Sequence, residues 1–235
     1  MRRIIKLFKG SGILNLLGMT VAFASLYILL VQVYYDLSYN KGIKDCERVY
    51  IMAIPSWYEQ GKFQVSMNRP VSSAIASNSP MVESYGVARI YVNSKSAVLV
   101  GEGEQQKVYN LGVSELTRGA LDVFSFEPVA GTFDGMEVEP TAAICESAAA
   151  LMGVGVGDFI RFKENEGEPI KIAAVYKDMP LNSDFGNVEL FFCDLIETQG
   201  TDNWSEWGFH SWVKLCSADQ KQAFEQGAVG LAEKS

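Results

Sequence analysis

Hydrophobic and polar positions divide the chain into one long apolar segment near the N-terminus and a longer region of short, mixed segments. Gly10 to Tyr35 is a run of 26 residues without a charged side chain, and twelve of the 21 residues from Ile13 to Val33 are Leu, Ile, Val or Phe. An α-helix needs about 20 apolar residues to cross the roughly 30 Å hydrocarbon core of a bilayer. The pattern therefore predicts a transmembrane helix over residues 13–36.

The charges that flank this segment predict its orientation. Four basic residues precede it: Arg2, Arg3, Lys6 and Lys9. Positive charge stays on the cytoplasmic side, so the N-terminus is expected in the cytoplasm and the bulk of the chain on the extracytoplasmic side, anchored to the plasma membrane. Basic and apolar residues mix in residues 1–12, which predicts a cytoplasmic amphipathic segment at the membrane surface.

A cleaved signal peptide is the alternative interpretation of the same segment. Ala22-Phe23-Ala24 resembles a small-x-small cleavage site that follows an apolar stretch. Cleavage there would leave the apolar stretch Tyr27 to Val31 at the new N-terminus, so a retained anchor is favoured. Both interpretations place residues 37–235 outside the cytoplasm.

Short segments with strand-like and helix-like patterns follow the anchor. Between residues 37 and 100 we predict four strands and a helix: Arg48–Ile54, Lys62–Met67, Ser84–Val92 and Ser96–Val100, with the helix at Val71–Ser77 after Pro70. Residues 101–180 are mostly strand-like: Lys107–Leu111, Thr141–Cys145, Asp158–Phe162 and Ile170–Val175, with one short helix at Ser147–Met152 that Gly153 ends. Two strands and a helix come last: Val188–Cys193, His210–Leu215 and Ala218–Glu233.

This order predicts an α+β fold in which the transmembrane helix precedes an external domain of two lobes. Residues 37–100 and 181–235 would form an α/β lobe, and residues 101–180 an inserted, mostly-β lobe. The turn-rich segment from Lys177 to Ser183 would then form a hinge or cap where the chain crosses between the lobes.

The charge of the external region excludes nucleic acid as a partner. Setting aside the four basic residues and Asp36 leaves 16 Lys and Arg against 27 Asp and Glu, a net charge of −11, whereas nucleic-acid binding needs basic side chains at the phosphates. Four cysteines are widely spaced: Cys46, Cys145, Cys193 and Cys216. Cys145 and Cys193 lie in apolar, strand-like runs, which predicts buried free thiols, while the spacing leaves the disulfide state open.

Residue patterns typical of enzymes are missing from the sequence. The chain has one histidine, His210, and no GxSxG motif. Gly153-Val-Gly-Val-Gly157 resembles a phosphate-binding loop but lacks the Lys-Ser/Thr that follows in a true one. We therefore predict no catalytic residues, no metal and no cofactor, and we expect no ATP hydrolysis by this chain.

Three stretches, in order, resemble MacB-like (FtsX-type) ABC transporter permeases. The first joins Asp36-Leu-Ser-Tyr-Asn40 to Asp45-Cys-Glu-Arg-Val-Tyr-Ile51, and the second joins Val123-Phe-Ser-Phe126 to the Gly131 and Glu146 region. The third runs from Val156-Gly157 to Lys177-Asp-Met-Pro-Leu-Asn-Ser183. Asn40 and Asp184 depart from the residues usual in the family, Asp and His. The resemblance covers the first membrane helix and the periplasmic core domain, whereas a complete permease continues into three more membrane helices.

This resemblance implies a non-catalytic transport component. The α/β lobe would be porter-like, and ATP-driven motion of the membrane helix would be coupled to efflux or extraction of a substrate on the periplasmic side. Implied partners are a cytoplasmic ABC ATPase, a second copy or paired permease half, and a periplasmic adaptor with an outer-membrane channel. Residues carried over from the family motifs have structural roles: Tyr39, Arg48, Tyr50, Phe124, Phe126, Gly131, Glu146, Gly157, Asp178, Pro180, Asn182 and Ser183. The alternative function is a signal-anchored, extracytoplasmic ligand-binding or sensor domain.

Overall fold

The computed structural model describes residues 11–56, 58–163, 168–193 and 203–232. Its first element is a long helix, α1 (Ser11–Leu37), whose large apolar side chains are exposed along its whole length. Within the described residues it is the one helix that is long and apolar enough to cross a membrane, over Gly12–Leu37. This agrees with the predicted span of 13–36, whereas most of the predicted segment 1–12 lies outside the described residues.

An α+β body follows α1. The strands in the described residues are β1 (Val49–Ile51), β2 (Ile54–Pro55), β3 (Phe63–Gln64), β4 (Val82–Val100), β5 (Lys107–Leu116), β6 (Pro128–Gly131), β7 (Thr141–Cys145), β8 (Phe159–Phe162), β9 (Ile170–Tyr176), β10 (Leu190–Phe192) and β11 (His210–Leu215). The helices are α2 (Arg69–Ser77), α3 (Arg118–Val123), α4 (Glu146–Met152) and α5 (Lys221–Ala232).

Nine of these strands form one sheet that closes on itself. Their order is β1-β11-β4-β5-β10-β7-β9-β6, and β8 pairs with both β4 and β9. The pairing therefore makes a ring of β4, β5, β10, β7, β9 and β8, a small barrel in which these strands have no free edge. β11 and β1 extend the sheet from β4, and β1 is its outermost strand on that side.

The two larger apolar clusters of the described residues hold the body together. The larger fills the barrel and contains packed aromatic rings: Phe124, Phe126, Tyr176, Phe185, Phe191 and Trp212. The smaller packs α2 and α5 against one face of β1 and β11 through Met52, Met67, Ala76, Val213, Leu215 and Phe224. Cys145 and Cys193 are buried, as predicted.

Several predicted elements are corrected by the structure. Ser84–Val92 and Ser96–Val100 are one continuous strand, β4, because β5 pairs with both parts despite a register shift between Ile90 and Lys95. The predicted strand Arg48–Ile54 is split, since β1 pairs with β11 whereas Ile54 and Pro55 pair with β3. Helix α3 and strand β6 were not predicted. β4 and β10 belong to the barrel although they lie outside residues 101–180, and the two-lobe division itself stays a prediction.

Candidate functional site at the end of the membrane helix

Two segments far apart in sequence meet where α1 enters the body. Residues 35–42, at the end of α1, contact residues 180–184, which follow β9 in the chain. We call this contact the joint. It involves motif residues from the first and third of the three sequence stretches, Tyr39 on one side and Pro180 and Asn182 on the other.

The end of α1 is set by a residue in the left-handed region. The Ser38 amide still donates to the Tyr34 carbonyl at 2.9 Å, so helical hydrogen bonding continues one residue past Leu37. Asn40 then takes a φ of 59°, a conformation that Asn adopts more readily than other residues with a side chain and that commonly ends helices. The released Asn40 amide donates to the Asn182 carbonyl at 2.8 Å.

Side-chain amides make the joint reciprocal. The Asn182 amide nitrogen donates to the Ser38 carbonyl at 3.0 Å and to its hydroxyl at 2.9 Å. The Asn40 side chain accepts from the Asp184 backbone N–H at 3.0 Å and donates to the Asp184 carboxylate at 3.1 Å. Each segment thus bonds to backbone groups of the other.

Asp184 is the residue on which the hydrogen bonds of the joint converge. Three side chains donate to its carboxylate, each at 3.1 Å: the Tyr39 hydroxyl, the Asn40 amide and the Trp212 indole N–H. Burial, together with the Asp184 charge and hydrogen bond, raises the pKa of Tyr39 to about 12. Trp212 is 1% exposed and packs on Phe124 and Phe185, so Asp184 connects the helix end to the barrel core.

Close backbone packing completes the joint. The Tyr35 hydroxyl donates to the Leu181 carbonyl at 3.3 Å. Gly42 lies against Pro180, and a Cβ at position 42 would come within 2.6 Å of the proline ring. The Ser183 hydroxyl donates to the Pro180 carbonyl at 2.6 Å, which holds the second segment in a turn.

An ionic cluster fixes the chain just after the joint. Arg48 and Lys214 both contact the carboxylates of Asp45 and Glu83, with Arg48 to Asp45 and Lys214 to Asp45 each 2.9 Å. Hydrogen bonds from Lys214 and then Arg48 lower the pKa of Asp45. Arg48 also donates to the Leu215 carbonyl at 3.0 Å, so this cluster joins the segment before β1 to β4 and β11.

The remaining motif residues lie in the body, away from the joint. Phe124 and Phe126 belong to the aromatic core. Gly131 and Gly157 have φ of 74° and 94°, and a Cβ on Gly131 would lie 2.1 Å from the Ala173 carbonyl oxygen. Both flank β9, since Gly131 pairs with Ala174 and the Gly157 amide donates to Ile172.

Asp178 holds the start of α4, next to the exposed Glu146. Its carboxylate accepts from the Ser147 amide at 3.1 Å and from the Ser147 hydroxyl at 2.9 Å. Burial alone would raise the pKa of Asp178, but hydrogen bonds from Ser147 and Cys145 outweigh it and lower that pKa. Tyr50, in β1, donates its hydroxyl to the Glu47 carbonyl at 2.8 Å.

Sequence reasoning found residues on both sides of the joint but missed which of them bond to each other. Asn40 and Asp184 were recognised as departures from the family, yet they bond to each other. Both positions differ from the residues usual in the family, and this shared difference was the available signal that the two side chains contact each other. Trp212 and Lys214 gave no such signal, because nothing in the sequence indicates which segment lies beside β11.

The groups in the joint suit mechanical attachment. Its carboxylate already accepts three hydrogen bonds, and the nearby His210 has its pKa lowered by burial, partly opposed by the Asp184 charge. Among the described residues, no group of three or more His, Cys, Asp or Glu side chains is placed to hold a metal ion.

Several solved structures have a fold similar to that of this chain. A domain of a putative permease protein from Porphyromonas gingivalis has a TM-score of 0.68 and 22% identity, covering 82% of this chain and 86% of that chain. The periplasmic region of MacB from Actinobacillus actinomycetemcomitans has a TM-score of 0.58 and 14% identity, covering 83% and 86%. The extracellular domain of the noncanonic ABC-type transporter YknZ from Gram-positive bacteria has a TM-score of 0.51 and 16% identity, covering 77% and 90%.

Comparison of the sequence with family models and with curated proteins gives no match. At 14–22% identity, the structural matches show the fold. Each match covers more than three quarters of this chain. The chain therefore has the fold of the periplasmic region of MacB, as the resemblance of the three sequence stretches implied.

Proposed function

We propose that this chain is the periplasmic portion of an ABC transporter permease, anchored by its first membrane helix. In this role it couples ATP-driven motion of α1 to efflux or extraction of a substrate on the periplasmic side. The joint is the observation that carries the proposal, because it fastens the end of an apolar, exposed helix to the body at several points.

The geometry of the joint supports transmission of movement. A tilt or rotation of α1 acts directly on residues 180–184, which lie between β9 and β10 of the barrel. The Asp184–Trp212 hydrogen bond passes the same movement to β11. Because the helix end is bonded through both backbone and side chains, it moves with the body as one unit, as lever-type motions require.

The proposed partners follow from this role. ATP hydrolysis would take place in a separate or fused cytoplasmic ATPase, and a second copy or a paired permease half would complete the transporter. A periplasmic adaptor and an outer-membrane channel would lie beyond the body. An external domain that transmits force needs no catalytic residue, metal or cofactor.

We also propose that residues 37–100 with 181–235 and residues 101–180 act as two lobes. Support comes from the smaller apolar cluster, whose members all lie in the first of these sets. β4 lies in the first set, but it pairs with β11 of the same set near its start and with β8 of the second set near its end, so it connects the two proposed lobes. Relative movement of the lobes would therefore bend β4, and its register shift between Ile90 and Lys95 is the expected place.

Capture of the tagged chain from its native membrane tests the proposal. We expect an ABC ATPase to co-purify, and we expect Asn182→Ala to uncouple ATP hydrolysis from substrate movement in the reconstituted complex. Asn110→Ala, at an exposed position in β5, is the matched control and should leave coupling intact. Recovery of the chain without an ATPase, or intact coupling in Asn182→Ala, would contradict the proposal.

A further inference from the structure

A large cleft surrounds the outer edge of β1. Its volume is about 870 Å³, and its lining includes six consecutive residues, Val49–Ile54, together with residues of α5, β3 and the joint. A cleft of this size is in the range of ligand-binding sites. We call it the edge cleft.

Strand β1, in the cleft, has a backbone edge that no other described strand pairs with. The Met52 amide donates to the Ser211 carbonyl at 2.8 Å, in the same register as the pair Tyr50 and Val213. Hydrogen-bonded and non-hydrogen-bonded pairs alternate in an antiparallel ladder, so the N–H and C=O of Ile51 point away from β11. Within the described ranges, β11 is the one strand that pairs with β1, and Ile51 is 42% exposed.

The cleft reaches both faces of the sheet around this edge. Tyr50 and Met52 lie on the face of the smaller apolar cluster, where Phe63, Met67, Ile75 and Phe224 also line the cleft. Ile51 is opposite Trp212, on the other face, where Tyr39, Asn40 and Asp184 line the cleft. One wall is thus apolar and the other carries polar groups.

We propose that the edge cleft binds an extended peptide segment, which adds as a strand beside β1. Its backbone would pair with the free N–H and C=O of Ile51, and its side chains would alternate between the two walls, apolar toward α5 and polar toward Asp184. A lipid chain would use the apolar wall alone and leave the Ile51 backbone unpaired. This site exists whether or not the chain works in a transporter.

Charge further defines the peptide. Lys221 and Glu225 lie at the cleft and pair with each other at 3.8 Å, so they leave little net charge at the α5 wall. The carboxylate of Asp184 and the net charge of −11 of the external region favour a neutral or basic segment over an acidic one.

A pair of N-methylated peptides tests the proposal with the full chain in nanodiscs. The probe is a fluorescein-labelled peptide Lys-Val-Thr-Val-Thr-Val-Lys, and two derivatives carry N-methyl groups on its Val or on its Thr residues. Alternate N–H groups of a strand point to opposite sides, so one derivative should lose affinity by about tenfold or more while the other keeps it. Binding should also slow hydrogen exchange of the Ile51 amide.

Two variants of the chain give a matched comparison. Ile51→Pro removes the free N–H, and proline is tolerated at an unpaired strand edge, so this variant should bind the probe about tenfold more weakly or worse. Ile51→Ala removes the same side chain but keeps the N–H, and it should bind nearly as the parent does. Circular dichroism checks that both variants are folded.

Four results would overturn the proposal. The first is no binding of the probe. The second is equal binding of the two methylated derivatives, or displacement of both derivatives to the same extent by a phospholipid, because either result would indicate an apolar site for lipid. The third is unchanged binding in a folded Ile51→Pro variant. The fourth is an Ile51 amide that is already protected from exchange in the free chain, which would mean that another part of the chain or a second copy covers the edge.

Discussion

The joint and the barrel core hold together by different physical means. In the joint, short polar side chains make directional hydrogen bonds between segments about 144 positions apart in sequence. In the core, Phe124, Phe185 and Trp212 pack edge-to-face or tilted, with centroids 4.5–5.3 Å apart. Hydrogen bonds define an angle and a register, whereas apolar burial supplies most of the stability.

Because of this difference, the orientation of α1 depends mainly on the joint, whereas the stability of the body depends mainly on the barrel core. Weakening the joint should loosen the connection of α1 while the body stays folded. Weakening the core should unfold the body while the helix in the membrane persists. Asp184 belongs to both the joint and the core, since it accepts hydrogen bonds from the helix end and from Trp212. A substitution at Asp184 should therefore affect both regions.

The largest effect is expected in the core. Phe185→Ala removes a fully buried ring that packs on Phe124, Phe126 and Trp212. We expect it to lower the free energy of unfolding by about 3–5 kcal/mol, measured by urea titration of the chain in nanodiscs. Phe159→Ala, at a 55% exposed position, is the control and should cost less than about 0.5 kcal/mol. A loss below about 1 kcal/mol for Phe185→Ala would contradict the role of this ring.

Asp184→Ala should have the second largest effect. It leaves the buried Trp212 N–H and the Tyr39 hydroxyl without their acceptor, which we expect to cost about 2–3 kcal/mol. The pKa of Tyr39 should fall from about 12 toward its ordinary value of 10, followed by ultraviolet titration against a Tyr39→Phe reference. Asp184→Asn keeps an acceptor without the charge and should lie between. An unchanged tyrosine titration would show that Asp184 does not control Tyr39.

Asn182→Ala should affect the joint alone. It removes the two hydrogen bonds to Ser38, so we expect a loss of about 1 kcal/mol in the free energy of unfolding. Hydrogen exchange of the Asn40 amide should speed up by about fivefold or more, since the same 1 kcal/mol favours local opening, while amides of β7 stay protected. Asn110→Ala should change neither quantity. If hydrogen exchange became faster by the same factor throughout the body, the joint and the core would open together, which would contradict this prediction.

The smallest effect concerns pH. Burial lowers the pKa of His210 below its ordinary value of 6.5, so the unfolded chain binds a proton more readily than the folded one. Stability is then fully present above pH 6.5 and declines as the pH falls from there through the folded-state pKa. Since the chain has one histidine, His210→Gln should flatten the unfolding free energy over this window, measured by urea titration from pH 7 downward. If the unfolding free energy of the unsubstituted chain did not change with pH over this window, the lowered pKa of His210 would be contradicted.

Local patterns predicted the elements with strong local signals. α2 begins after Asn68, whose side chain accepts from the Val71 amide, with proline in its first turn, and α4 ends at Gly153 in the left-handed region. β7 and β11 match their predicted bounds. α3 and β6 were missed because each depends on strands distant in sequence: β6 pairs with β9, and α3 packs on β4.

Sequence alone determined the long apolar helix, the alternating strands and the turn formers in residues 177–183, because each depends on residues close together in the chain. Only the tertiary structure decided that β8 closes the barrel, that Asp184 meets Tyr39 and Trp212, and that β1 is the last strand of the sheet on its side among the described residues. Those outcomes depend on which distant segments become neighbours, and pairing at long range is set by the packing of the whole chain.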